Sequence, residues 1–150
     1  MSERTERGTL NRLIEICRDG ELGFGSAAGH VADPEVKALF LEIAAQREQF
    51  IRALLPHAHR LGGATETDGT VAGTLHRGWI SIMDTLTHHD DAAIIKEAER
   101  GERAALAVFR DAIDGMLPPE SRELIETQHA GIQHTHRRLD AFLTREVAGG

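Results

Sequence analysis

The stretch CRDGELGF, residues 17–24, has a near echo in ERGERAAL, residues 99–106. Each places Gly-Glu inside a helical pattern of apolar residues. Cys17 and Phe24 bracket Glu21, and Ala98 and Leu106 bracket Glu102. A glycine in a helix interior costs about 1 kcal/mol relative to alanine. A buried, unpaired carboxylate costs several kcal/mol more, or takes up a proton instead. A chain that accepts both twice, 81 residues apart, reads as two similar halves with a carboxylate turned inward in each.

The periodicity around these motifs is helical throughout. A first helix over about residues 9–32 carries Leu10, Leu13, Ile14, Cys17, Phe24, Ala28 and Val31, with Thr9 as its N-cap. Asp33-Pro34-Glu35 restarts the chain with a cap, a proline at the first helical position and an acid in the first turn. The second helix, 34–61, ends near Leu61-Gly62-Gly63, and Pro56 inside it predicts a kink or an early break. After the loop GGATETDGT, Val71, Leu75, Trp79, Ile82, Met83 and Leu86 predict a shorter helix over 70–87. Asp90 or Asp91 caps a helix over 91–115, and GMLPPES leads into the last one, 118–146, whose VAGG end is expected to fray. No segment alternates with a period of two. The expected fold is all-α: two helical hairpins in one domain, 1–150, joined by a crossover that carries its own helix. As a helix, 70–87 covers about 27 Å, enough for most of a bundle's length. Such a crossover lets the flanking helices run parallel, as in ferritin-like four-helix bundles.

The bulk properties set bounds on function. The chain has 150 residues, 41% hydrophobic and 27% charged, enough to bury a core without staples. A formal net charge of −7, with basic residues scattered over helical faces, disfavours nucleic acid. No apolar run approaches a membrane span, and MSERTERGTLNR lacks the apolar region of a signal peptide. The lone Cys17 cannot form an intramolecular disulfide, so the expected compartment is the cytoplasm. GELGFG has the wrong glycine spacing for a dinucleotide fingerprint and no strand before it. Cys17 has no evident base and orienting group to make it a nucleophile.

Counting from the hairpin turns places partners opposite the two glutamates. Glu21 lies 12 residues before Asp33 and Gln46 lies 13 after it; Glu102 lies 15 before Leu117 and Gln133 lies 16 after it. One turn on stand Gln49 and His136. Di-iron carboxylate bundles use one Glu from each of two helices and Glu-x-x-His from each of the other two. Here the pattern is Glu21, Glu102, Gln46-x-x-Gln49 and Gln133-x-x-His136. Two carboxylates supply two negative charges against the four positive charges of two ferrous ions, and glutamine amides are weak donors. The expectation is a degenerate site in which the amides satisfy the carboxylates, with no metal held. The alternative is iron or manganese bound by Glu21, Glu102 and His136, with His129 or the glutamines completing the shell and ferroxidase-like chemistry. Glu126-x-x-His129 is a literal Glu-x-x-His, but Glu126 lies about 10 Å nearer the turn than Glu102.

The segment from about Leu10 to Leu143 resembles a small bacterial ferritin-like family known as domain of unknown function 2383. The resemblance rests on AGTLHRGW, residues 72–79, on ERGE, residues 99–102, and on Gln133-x-x-His136. It implies a four-helix bundle with an added crossover helix, and by analogy an association with stress; the family itself has no established activity. It also implies Glu-x-x-Gln on the second helix, where Gln46 stands in the place of the glutamate. A non-enzymatic bundle is therefore expected, acting through a partner or as a homodimer, with Trp79 and Ile82 of the crossover offering a packing face.

Overall fold

The computed structural model describes residues 3–62 and 90–149, with side chains for 5–62 and 90–145. The predicted crossover helix over 70–87, with Trp79 and His76, lies outside the described residues. Four helices account for the described secondary structure, with no strand among the described residues: α1 (Glu3–Ala28), α2 (Pro34–Arg60), α3 (Asp91–Asp114) and α4 (Pro119–Gly149).

Three local expectations change. α1 begins well before Thr9, whose hydroxyl donates to the Thr5 carbonyl at 3.0 Å inside the helix rather than capping it. α2 continues through Pro56 to Arg60 without a break. A proline so near the C-terminus removes one ladder bond on an exposed face, and the helix has only one further turn to complete. α4 is helical as far as Gly149, past the point where fraying was expected. The restart at Asp33 is as predicted: its side chain accepts from the Glu35 amide at 2.8 Å, with proline at the helix start. Gly62 takes φ +72° and its amide donates to the His59 carbonyl at 2.9 Å, the left-handed stop that glycine allows.

Asp90 is the N-cap of α3, accepting from the Ala93 amide at 3.2 Å. Asp91 does something else. Its two oxygens accept from the Ala32 and Asp33 amides at 2.9 and 2.8 Å, fastening the start of α3 to the turn between α1 and α2. Leu61 and Asp90 therefore lie at opposite ends of the bundle, and α2 and α3 run in the same direction. α1 packs on α2 and α3, and α4 packs on α3 and α2, so α1/α4 and α2/α3 face each other across the diagonals.

The apolar core falls into two clusters. One joins Leu13, Cys17, Leu54, Phe109, Ile125 and Ile132 with their neighbours at one end. The other joins Phe24, Phe40, Ile43, Ile94, Ala98 and Leu139 at the opposite end. Between them lies a layer of buried polar side chains. No helix among the described residues is long and apolar enough to cross a membrane.

Candidate functional site

The polar layer takes one position from each helix. Helical spacing brings Gly20 inward between Cys17 and Phe24, Arg47 between Ile43 and Ile51, Glu102 between Ala98 and Ala105, and Thr135 between Ile132 and Leu139. Arg47 is 1% exposed and Glu102 is fully buried, and Arg47 Nη2 donates to Glu102 Oε1 at 2.6 Å. The guanidinium reaches this point by passing over Gly20. A Cβ on Gly20 would sit 3.0 Å from Arg47 Nη1 and 3.4 Å from its Cγ. The second oxygen of Glu102 is also taken, because the Thr135 hydroxyl lies 2.7 Å from Oε2. That hydroxyl is also 3.0 Å from the Ile132 carbonyl, and its single proton goes to one acceptor at a time. Arg47 Nε donates to Gln46 Oε1 at 3.2 Å, and the guanidinium lies 5.9 Å from the Phe24 ring centroid. Gln46 in turn donates to the Gly131 carbonyl at 3.4 Å, across a gap that a side chain at Gly131 would close.

Next to this layer, Glu99 Oε2 accepts from His136 Nε2 at 2.7 Å and forms an ion pair with Arg103, whose Nε lies 2.9 Å away. Asp19 is 5% exposed, and neither of its carboxylate oxygens has a partner among the described residues; Oδ1 is fully enclosed. Burial pushes its carboxyl up to about 7. Burial also pushes the Cys17 thiol up to about 12, against the pull of Arg47, so it stays protonated and inert at neutral pH.

The residues singled out in the sequence do not gather into one site. Glu102 is buried as expected. Glu21 is not: it is half-buried on the wall of an open surface groove between α1 and α2, beside Leu22, Ala44 and Glu48. Between Cys17 and Phe24 the inward place belongs to Gly20. Glu21 and Gly20 fit that spacing equally well on paper, and the glycine is the one the packing requires. Gln46 orients Arg47, Gln49 is exposed, and His136 is taken by Glu99. Gln133 and His129 line a groove on the α3–α4 face with Arg110. Burial, and then Arg110, hold the His129 imidazole below its usual range. His57, near the end of α2, lies 2.7 Å from the Ser121 hydroxyl of α4. Among the described residues no three His, Cys, Asp or Glu side chains form a group able to hold a metal ion. Sequence reasoning missed Arg47 and Thr135. Both stood on the apolar stripes at helical spacing, and that placement was the available signal.

The family description "Domain of unknown function (DUF2383)" matches residues 6–115. The chain belongs to this family. The match takes in Gly20, Arg47 and Glu102, and ends before the α4 residues Thr135 and His136. No curated protein matches the chain. Set against a carboxylate-bridged metal pair, the DUF2383 core of this chain does not fit. Both oxygens of Glu102 are engaged, a guanidinium already supplies the positive charge beside it, and Glu21 faces outward.

Proposed function

We propose that this DUF2383 protein is a non-enzymatic, ferritin-like helical bundle that acts through self-association or a protein partner. The observation that carries the reading is the buried Arg47–Glu102 pair at 2.6 Å. In a ferritin-like bundle the centre is where inward carboxylates meet a metal. Here an arginine from α2 neutralises the fully buried Glu102, and a threonine hydroxyl takes its remaining oxygen. That arrangement suits holding four helices together and leaves neither oxygen of Glu102 free for a metal. A homodimer in the cytoplasm and an association with stress belong to the same proposal.

Metal loading tests it. Purified protein incubated with ferrous or manganous ion and then desalted should retain no stoichiometric metal, and ferrous ion should oxidise no faster than in buffer. One equivalent retained per chain, lost in Glu102→Ala, would overturn the proposal.

A further inference from the structure

Where α1, α2 and α3 meet, the polar layer borders a small, partly open cavity of ≈ 10 Å³, lined by Ile16, Asp19, Gly20, Phe24, Arg47, Gly101 and Ala105. A cavity of about this size admits one water molecule when polar groups line it, and apolar cavities of the same size stay dry. The lining contains one buried atom with no hydrogen-bond partner among the described residues, Asp19 Oδ1, and beside it the guanidinium of Arg47. The carboxyl of Asp19 has no partner among the described residues, although the residue is 95% buried by its 5% exposure. Arg47 uses Nε for Gln46 and Nη2 for Glu102, and its Nη1 has no partner among the described residues.

We propose that this cavity is a water-binding site, in which one ordered water is held by the Asp19 carboxyl and Arg47 Nη1. A buried polar atom without a partner costs about 1–3 kcal/mol, and a single water relieves Asp19 Oδ1 while accepting from Arg47 Nη1. The ligand is neutral for a stated reason. The guanidinium opposes a cation, the Asp19 carboxyl opposes an anion, and the space admits nothing larger than water. Gly20 and Gly101 bring no side chain into the space, so Gly20 serves both the passage of Arg47 and the hydration of its tip. The high carboxyl pKa of Asp19 fits a group that lacks direct protein donors.

The test uses the full chain. A high-resolution crystal structure should show one density peak within hydrogen-bond distance of the Asp19 carboxyl and Arg47. In solution, the Gly20 or Gly101 amide should show a magnetisation-transfer signal to a long-lived water. Asp19→Asn keeps a polar lining and should retain that signal; Asp19→Leu should abolish it. A dry cavity, a direct Asp19–Arg47 contact, a peak with metal coordination, or a signal that persists in a folded Asp19→Leu would each overturn the proposal. If Asp19→Leu does not fold, the wild-type density decides.

Discussion

Replacing Glu102 with leucine leaves the Arg47 guanidinium buried at 1% exposure without its counter-charge. Removing one partner of a buried pair costs about 3–5 kcal/mol, mostly because the surviving charge is stranded. A domain of this length has about 5–15 kcal/mol in total, and each kcal/mol shifts its melting temperature by about 2–4 °C. Glu102→Leu should therefore melt about 6–20 °C below wild type. Arg47→Met should fall in the same range, since Thr135 alone then faces the carboxylate. The double variant is the decisive one. If the costs simply added, it would lose about 6–10 kcal/mol and much of it would be unfolded. With both charges gone nothing is stranded, and its stability should lie within about 1 kcal/mol of wild type or above it. Urea unfolding followed by far-ultraviolet circular dichroism gives all four corners of the cycle. Single substitutions costing under about 1 kcal/mol, the level of solvated surface pairs, would refute the reasoning. So would a double variant as unstable as the sum.

Gly20→Ala gains about 1 kcal/mol of helix propensity but presses on an arginine pinned by Glu102, 3.0 Å from the new Cβ. The net effect should be a loss of about 1–2 kcal/mol; with Arg47→Ala already present the same change should stabilise, and denaturation midpoints read the reversal. Asp91→Ala removes two charge-assisted bonds to the Ala32 and Asp33 amides. It should cost about 2–3 kcal/mol and speed hydrogen exchange at those two amides, while exchange deep in α4 changes only as much as global stability does. Asp19 gives a pH dependence with a fixed sign. Its folded carboxyl pKa, raised from 3.8 to about 7, lies above the unfolded value, so its contribution is fully present below 3.8 and is lost as pH rises through about 7. The melting temperature of wild type relative to Asp19→Asn should therefore fall between about pH 4 and pH 8; a difference constant with pH would contradict the assignment.

Much of the architecture was readable from local rules. Asp33-Pro34-Glu35 and the pair Asp90-Asp91 announced helix starts through side-chain chemistry that acts within one turn, and of the pair the structure makes Asp90 the cap. Thr9 misled because a threonine hydroxyl can bond back to its own helix, and the early break allowed for at Pro56 does not occur because a proline near the last turn is cheaply absorbed. The centre of the bundle was half legible. The steps from Cys17 to Phe24 and from Ala98 to Ala105 each allowed either the glycine or the glutamate inward, and the structure buries Gly20 in one and Glu102 in the other. Only the side chain arriving from α2 decides between them. Arg47 stood on its stripe between Ile43 and Ile51, but a long charged side chain on a stripe ordinarily turns its head to solvent. Its burial depends on Gly20 and Glu102, 27 and 55 positions away in the chain, a dependence that no single segment carries.

The Arg47–Glu102 contact crosses the diagonal between α2 and α3, and thereby joins the two hairpins. Each hairpin can form early from contacts close in sequence, which is the fast part of assembling a helical bundle. Their docking is another matter, because apolar stripes of similar composition pack tolerably at more than one offset. Sliding one hairpin along the other by a single turn, about 5.4 Å, would bury an arginine against one apolar cluster and a glutamate against the other. Each stranded charge costs several kcal/mol, so misaligned pairings are penalised far more heavily than the correct one is rewarded. The ion pair then acts as a key cut for one alignment, and the neutral double variant, although as stable, should dock its hairpins less faithfully.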